Sequence, residues 1–409
     1  MLRWLLTALA LTLGAQLAAQ DKRIALTFDD TPRHAGVLYS EDERAIRIIA
    51  ALSEAEVEQA AFFLNPGKLA ERPGGEARIA AYVAAGHVIA NHTSNHSQLR
   101  DTDASDYIAD IDAAAKWLDV RKGARAWFRF PYLDEGGRDK AKRDAIRAAL
   151  AERGLINGYV TVDASDWFYD GALSTATRAG KPVDLEALKA LFIESHIEAV
   201  RYYDALAQRA LGRSPAHVLL LHESDLVALA LPDLVAALRA DGWTIITADD
   251  AYADALTDER PDVPFSQGTI TEMIAWERGL PAPRWYARND TKLAQAEFDA
   301  RAIGKASSAI PARYLGVWDY EGGTCAPESD LRMAIRPRAI TFYESVGKAT
   351  DVRLDGEDVI VDLAMDGEGE TWEQSLRLSL VGNGNEQRLH TSDASEPKTK
   401  DDLPRKRCQ

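Results

Sequence analysis

The sequence predicts an α/β protein in which parallel strands and helices form a (β/α) barrel, followed by a small C-terminal antiparallel β domain. Short apolar strands alternate with amphipathic helices from Arg23 to about Ala251, which is typical of parallel βα units. Beyond Tyr314 the pattern changes to short alternating runs separated by Gly, Asp and Asn. Such spacing is typical of antiparallel strands.

Each predicted strand of the barrel region is a short apolar run. The predicted strands cover residues 23–28, 60–64, 87–90, 126–130, 159–162, 217–221 and 244–247. The predicted helices between them cover residues 42–52, 76–85, 104–120, 138–153 and 225–240. Because the carboxyl ends of parallel strands meet on one face of a barrel, we expect the functional side chains there.

Two regions depart from this alternation of strands and helices. Residues 168–216 lack a strand pattern but contain a long helical one from Val183 to Leu211, which predicts a helical insertion between two barrel strands. Residues 261–308 are Pro-rich and charged, with helix-like pieces, and predict a connector. The predicted organisation is a barrel domain at 21–260, this connector, a β domain at 309–392 and a disordered polar tail at 393–409.

The first 20 residues predict a secretory signal peptide. Arg3 supplies a positive start, residues 4–13 are apolar, and small residues precede Asp21. The apolar run is short for a transmembrane helix, although an uncleaved anchor is the alternative. We therefore expect a periplasmic or extracellular mature protein, with no stable membrane insertion after cleavage.

The net charge argues against two classes of binding partner, and the two cysteines allow one disulfide. The net charge of −16 and pI of about 5.0 argue against nucleic acid and anionic membranes as partners. Cys325 and Cys408 can pair in an oxidising compartment, tying the tail to the β domain, or remain separate free thiols. Neither cysteine has a second potential metal ligand close to it in sequence, so a cysteine-based metal site is not expected. The sequence does not indicate the oligomeric state.

Two histidines and an aspartate pair carry the first chemical signal. His92 and His96 are four residues apart, a spacing that would place both rings on one face of a helical turn and within reach of one metal ion. Asp29 and Asp30 follow the first strand, and adjacent residues on an extended segment point in different directions. One carboxylate can therefore bind the metal while the other acts as a base in a hydrolytic zinc site.

Three further polar groups follow predicted strands. Arg129, in the run Arg-Phe-Pro-Tyr, can hold a carboxylate through bidentate hydrogen bonds. Asp166 lies in the run Asp-Ala-Ser-Asp-Trp, and His222 ends the run Leu-Leu-Leu-His. The remaining histidines are predicted to be structural: His34, His87, His196, His217 and His390.

Taken in order, TFDD, HTSNH, RFPY, DASDW and LLLLH resemble the five motifs of the NodB-homology polysaccharide deacetylases, carbohydrate esterase family 4. The resemblance spans residues 23–251. It implies a distorted (β/α) barrel and a divalent metal, zinc as the usual ion, with Co²⁺ or another divalent ion as alternatives. It also implies an acetylated glycan or oligosaccharide as substrate.

The resemblance also implies a role for each matching residue. The implied metal ligands are Asp30, His92 and His96. The catalytic roles fall to Asp29 as general base, Arg129 orienting that base, Tyr132 lending its backbone N–H to the oxyanion hole, Asp166 tuning the site with Trp167 beside it, and His222 as general acid.

The chain departs from the family pattern at two positions. TFDD is followed by Thr31-Pro32, where Gly-Pro is common, and His222 is followed by Glu223, where aspartate is frequent. We expect these differences to affect substrate choice more than the reaction.

The leading hypothesis is a secreted metal-dependent deacetylase of an N- or O-acetylated glycan, with N-acetyl groups favoured. A hydrolase of small non-peptide amides on the same fold is the first alternative, and a deep, lidded pocket under the insertion would favour it. A catalytically weak glycan-binding protein is the second. Its β domain would then bind sugars through aromatic residues, drawn from Trp318, Tyr320, Tyr343 and Trp372.

Overall fold

The computed structural model describes residues 22–303, 309–355, 358–382, 387–394 and 403–408. The predicted signal peptide and its cleavage zone lie outside these ranges. Among the described residues, no helix combines the length and the apolar character that a membrane span requires.

A mainly parallel sheet forms the centre of the amino-terminal domain. Its strands are β1 (Arg23–Thr31), β2 (Ala61–Leu64), β3 (Val88–Asn91), β4 (Ala124–Phe128), β6 (Ile156–Asn157), β7 (Ala216–His222) and β8 (Thr244–Ile245). A separate two-stranded pairing joins β5 (Asp134–Gly137) to β9 (Ser266–Gln267). The strand order is β6-β4-β3-β2-β1-β7, with β8 beside the start of β1.

The sheet curls until its two edges approach each other. After β6 the chain reaches the opposite edge, where Val162 pairs in parallel with Leu219 on β7. The predicted strand at 159–162 is thus reduced to this single bridge, because its backbone changes partner from β4 to β7. The predicted distorted (β/α) barrel is confirmed.

Helices surround the sheet and connect its strands. They are α1 (Glu41–Glu54), α2 (Gly75–Ala84), α3 (Ala104–Leu118), α4 (Lys140–Glu152), α5 (Asp166–Arg178), α6 (Leu185–Leu211), α7 (Asp225–Ala240), α8 (Ala248–Tyr252), α9 (Ile270–Glu277) and α10 (Thr291–Arg301). Short 3₁₀ turns lie at Pro66–Glu71, Leu99–Asp101, Pro131–Leu133, Ala255–Asp258, Ala287–Asn289 and Ala312–Tyr314.

The region expected to be a helical insertion contains α5 and α6. The buried face of α6, including Leu191, Phe192 and Leu206, belongs to the same hydrophobic core as the sheet. This helix packs against α7 and α9 as part of the barrel's outer layer.

The predicted connector at 261–308 is wrong as far as the described residues 261–303 extend. Ile270 and Ile274 on α9, and Ala294 and Phe298 on α10, are buried in the barrel's own core. Each pair is spaced four residues apart, so it lies on one helix face. A short helix can pack against a core through only a few apolar residues on one face. The Pro-rich, charged sequence around these helices did not indicate that they pack in this way.

The carboxyl-terminal domain is a closed antiparallel barrel, which confirms the predicted small β domain. Its strands are β10 (Gly316–Tyr320), β11 (Met333–Arg336), β12 (Ala339–Thr341), β13 (Ser345–Asp355), β14 (Asp358–Gly367), β15 (Glu370–Val381), β16 (Arg388–Asp393) and β17 (Arg405–Arg407). Each strand pairs with the next, and β17 closes the barrel against β10. It has its own core, which includes Trp318, Ile340, Val361, Leu378 and Leu389.

The disordered tail predicted after residue 393 is wrong for residues 403–408, while residues 395–402 lie outside the description. Strand β17 pairs with both β10 and β16, and Cys408 forms a disulfide with Cys325. Closure removes the exposed backbone edges that β10 and β16 would otherwise present. Strand β17 pairs through its backbone groups, and its side chains are all polar. Its sequence therefore shows no alternation of apolar and polar residues that would predict a strand.

We expect the double substitution Cys325→Ser and Cys408→Ser to destabilise the barrel by about 2–4 kcal/mol, because the bond closes a long loop in the unfolded chain. The two cysteines are 83 residues apart in sequence. Thermal unfolding of the wild-type protein with and without reductant, beside the double variant, measures the effect. Equal midpoints in all three samples would contradict the expectation.

Candidate active site

The carboxyl end of β1 holds two carboxylates that point apart. Asp29 is buried and pairs in register with His222 at the end of β7. Asp30 follows with a φ of 65°, a left-handed conformation that few non-glycine residues adopt. This turn directs Asp29 towards Arg129 and Asp30 towards His96.

Asp30, His92 and His96 form a cluster suited to a metal ion. Asp30 Oδ1 lies 2.8 Å from His96 Nε2 and 3.5 Å from His92 Nε2. One candidate ligand atom from each residue lies within 4.8 Å of the others. Burial acts to raise the pKa of the Asp30 carboxyl, but the two neighbouring imidazoles hold it well below its usual range. Asp30 is therefore ionised at neutral pH.

Two observations show that these residues fit a divalent cation. The Nδ1 atom of His92 lies 2.9 Å from the carbonyl oxygen of Arg129, which only accepts, so Nδ1 carries the proton. The Nε2 lone pair is then free to bind a metal, the usual arrangement of a metal-binding histidine. The buried Oδ1 of Asp30 makes no well-oriented hydrogen bond to any described residue. Two imidazole nitrogens and one carboxylate oxygen are a typical hydrolytic zinc set.

The prediction that His92 and His96 share a helical turn is wrong. Strand β3 ends at Asn91, and the two histidines lie in the loop that follows. Thr93 and His96 have φ values of 59° and 61°, so the loop turns twice through the left-handed region. The Asn91 side chain accepts a hydrogen bond from the Thr93 N–H at 2.9 Å, which favours this turn over a helix.

Asp110 on α3 holds the histidine loop and was not predicted. Its carboxylate accepts hydrogen bonds from the backbone N–H of Asn95 at 3.0 Å and from the Ser97 hydroxyl at 2.7 Å. Asn65, after β2, donates its amide to the carbonyl of His92 at 2.6 Å. The available signal was an acidic residue on the buried face of an amphipathic helix.

Arg129 connects the base candidate to the barrel interior. Its Nη1 donates to Asp29 Oδ1 at 2.5 Å and to the Thr27 hydroxyl at 2.9 Å. Its Nε donates to the carbonyl of Gly158 at 2.7 Å, and its Nη2 to the Tyr252 hydroxyl at 2.7 Å. The expected bidentate grip is therefore a single contact from Nη1, because the other donors of the guanidinium fix it to its surroundings.

Tyr132 lies at the rim of the cluster. Its φ is 58°, and its ring is 54% exposed with its centroid 4.6 Å from that of His96. Its backbone N–H donates no hydrogen bond within the described residues. That group is therefore available to an external acceptor beside the histidines.

Asp166 and His222 form a pair next to Asp29, with Asp166 fully buried and the His222 side chain 12% exposed. Asp166 begins α5 and accepts a hydrogen bond from the His222 backbone N–H at 2.7 Å. Its other oxygen lies 2.8 Å from His222 Nδ1. Burial acts to lower the pKa of His222, but the Asp166 carboxylate outweighs it and raises the pKa to about 9. Trp167 does not cover the pair: its ring is 47% exposed and contacts Phe168.

Asn289, in the segment predicted to be a connector, ties down the loop that precedes Asp166. Its side-chain amide donates to the carbonyl of Asp163 at 3.0 Å and accepts from the Ser165 hydroxyl at 2.9 Å. Ser165 has a φ of 51°, so the loop is held in a strained conformation. No local sequence pattern links Asn289 to a motif more than 120 residues away.

Glu223 explains one departure from the family pattern. It is fully buried and accepts hydrogen bonds from the Arg33 backbone N–H and the Tyr82 hydroxyl, both at 2.9 Å. Arg33 follows Thr31-Pro32, the other departure, so the two unusual positions meet in one contact. The Glu223–Arg33 contact therefore holds the loop that follows Asp30.

Three of the remaining histidines are buried in structural contacts. His217 lies between the hydroxyl of Thr161 and the carboxylate of Asp204. The His87 ring accepts a hydrogen bond from the backbone N–H of Ala60, and burial lowers its pKa to about 4. His196 lies on α6, with its ring against Phe192.

A sequence model of the polysaccharide deacetylase family matches residues 16–152. This match confirms the predicted resemblance over residues 23–152. The matched stretch contains the first three motifs, TFDD, HTSNH and RFPY. No curated protein matches the chain.

Solved structures of family 4 esterases are similar to the chain at low identity. A family 4 carbohydrate esterase from Streptomyces lividans in complex with acetate is 20% identical, covering 57% of this chain and 97% of that one, with a TM-score of 0.38. A chitin deacetylase from Colletotrichum lindemuthianum is 19% identical, with coverages of 58% and 90% and a TM-score of 0.40. A family 4 pseudoenzyme from Bacillus anthracis is 16% identical, with coverages of 56% and 65% and a TM-score of 0.40.

Proposed function

We propose that this protein is a secreted, metal-dependent deacetylase that removes N-acetyl groups from a polysaccharide or oligosaccharide. The observation that carries the proposal is the juxtaposition of a buried carboxylate oxygen and two histidine nitrogens with a buried Asp–Arg pair and a largely buried Asp–His pair. Each element of amide hydrolysis thereby has a residue of suitable chemistry.

The proposed metal ligands are Asp30, His92 and His96, with zinc as the preferred ion. A bound divalent cation would activate a water molecule and polarise the acetyl carbonyl. Asp29 is the proposed base, since its Oδ2 lies 3.7 Å from His92 Nε2, and Arg129 holds its other oxygen. The backbone N–H of Tyr132 would donate a hydrogen bond to the oxyanion.

His222 is the proposed general acid. The amine released from an amide is a poor leaving group unless it is protonated, so the reaction needs a donor. A histidine whose pKa is raised to about 9 carries its proton at neutral pH. Asp166 accepts from Nδ1, so the Nε2 proton is the one available to the leaving nitrogen.

The surroundings of the cluster favour a long substrate over a small amide. Tyr132, whose ring lies 4.6 Å from that of His96, and Trp167, which follows Asp166, are about half exposed, and aromatic faces of this kind stack on sugar rings. One face of helix α6 is packed into the core of the barrel, which places this helix in the outer layer and not over the site as a lid. Exposed aromatic side chains next to the site residues would stack on neighbouring sugar units of a chain.

Metal analysis combined with acetate release tests the proposal. We expect the purified full chain to hold about one equivalent of divalent metal and to release acetate from an N-acetylated substrate: chitin oligomers, peptidoglycan or poly-N-acetylglucosamine. Acetylated xylan carries only O-acetyl groups, so acetate release from xylan alone would indicate an esterase instead. The double variant His92→Ala, His96→Ala should lose both properties, whereas His87→Gln should keep the metal. A protein that binds no divalent metal, or that releases acetate from none of the three N-acetylated substrates, would refute the proposal.

A further inference from the structure

The carboxyl-terminal barrel carries a groove of about 930 Å³ on its surface. The turn between β12 and β13 forms one side, and the adjoining ends of β13, β14 and β15 form the other. Three of its residues, Val346, Asp366 and Thr371, lie in register across those three strands. The groove is therefore built on paired strands of the barrel.

Two aromatic side chains are exposed in this groove. Tyr343 is 53% exposed and Trp372 is 43% exposed, and neither makes a ring contact or hydrogen bond with a described residue. Trp318, by contrast, is fully buried in the barrel core. Large aromatic side chains that the core does not use, placed together in a concavity, are suited to stacking on a ligand.

The charges in the groove indicate which ligand it suits. Four carboxylates and one ammonium group line the groove, and none of these five side chains forms an ion pair with a described residue. They are Glu344, Asp366, Glu368, Glu373 and Lys348. Carboxylates beside aromatic faces attract protonated amines, through ion pairing and through cation–π contact.

We propose that this groove binds an amino-sugar chain that carries free, protonated amines. The inference rests on the proposed function, because removal of an N-acetyl group from a glycan leaves such an amine at the same position. The barrel would then hold the chain through units already deacetylated, while the active site acts on the remaining acetylated units. The groove would recognise the product of the reaction.

Calorimetric titration of oligosaccharides tests the groove. The full chain carries Asp29→Asn to prevent turnover and is titrated with glucosamine oligomers and N-acetylglucosamine oligomers of equal length. We expect tighter binding of the amine-bearing oligomer and weaker binding at high salt. Trp372→Ala and Tyr343→Ala should each weaken binding roughly tenfold. Val381→Ala, at the other end of β15 and 56% exposed, should not.

The outcomes separate this inference from the proposed function. Equal binding of both oligomers, or binding unaffected by both aromatic substitutions in folded protein, would overturn the groove proposal. Acetate release by the wild-type chain would leave the proposed function intact in that case. Binding of glucosamine oligomers that depends on Trp372, in a chain that releases no acetate, would support the groove and refute the deacetylase. Circular dichroism establishes that each variant is folded.

Discussion

Asp29→Asn is expected to lower kcat for acetate release by roughly a thousandfold, the scale of a lost general base. Asparagine has nearly the same shape, and its amide oxygen can still accept the hydrogen bond that Arg129 donates at 2.5 Å. It cannot take up a proton at neutral pH. The substitution therefore removes the proton acceptor while leaving the surrounding geometry in place.

Metal content separates this expectation from a simple disruption of the site. Asp29 is outside the proposed ligand set, so the variant should retain its divalent ion, measured by elemental analysis of the same preparation. Asp112→Asn is a suitable control, because that carboxylate pairs with Arg153 on the surface. An Asp29→Asn enzyme with near-normal kcat, or one that has lost its metal, would contradict the assigned role.

The strand ends of the barrel could be predicted because they depend on local sequence. Apolar runs followed by polar residues indicated where Asp29, Arg129 and His222 would lie, and parallel topology indicated that they would converge. His92 and His96 do converge, but through a loop with left-handed residues and not through a helical turn. Spacing alone did not distinguish these two routes to the same proximity.

The supporting contacts could not be predicted, because they join residues far apart in sequence. Asp110 and Asn289 act through hydrogen bonds to backbone or loop groups, and such bonds leave no periodic pattern. The same reason applies to β17, whose pairing uses backbone groups while its side chains are polar. Composition separated the two domains but did not place α9 and α10 in the first.

The contribution of the supporting contacts to activity can be measured with the substitution Asn289→Ala. We expect acetate release to fall roughly tenfold, because the loop before Asp166 loses two hydrogen bonds while every reacting group remains. Asn289→Asp keeps the acceptor for the Ser165 hydroxyl and should retain part of the activity that Asn289→Ala loses. Loss of metal or a large fall in the unfolding midpoint would instead indicate a structural role.

The effect of His222→Gln on the rate of hydrolysis should depend on the leaving group of the substrate. Release of an amine requires protonation in the transition state, so N-acetyl hydrolysis should fall at least a hundredfold without the acid. An aryl acetate releases a stable aryl oxide that needs no proton, so its hydrolysis should fall much less. The ratio of the two rates thereby reports protonation of the leaving group, separately from binding or folding.

Asp166→Asn extends the same argument to the partner of the acid. The Asp166 carboxylate raises the pKa of His222 and fixes which ring nitrogen carries the available proton. Its loss should lower N-acetyl hydrolysis more than aryl acetate hydrolysis, with the alkaline limb of the N-acetyl profile moved to lower pH. His390→Gln, on β16, should change neither rate. Equal losses on both substrates in the His222 and Asp166 variants would show that the pair shapes the site without protonating the leaving group.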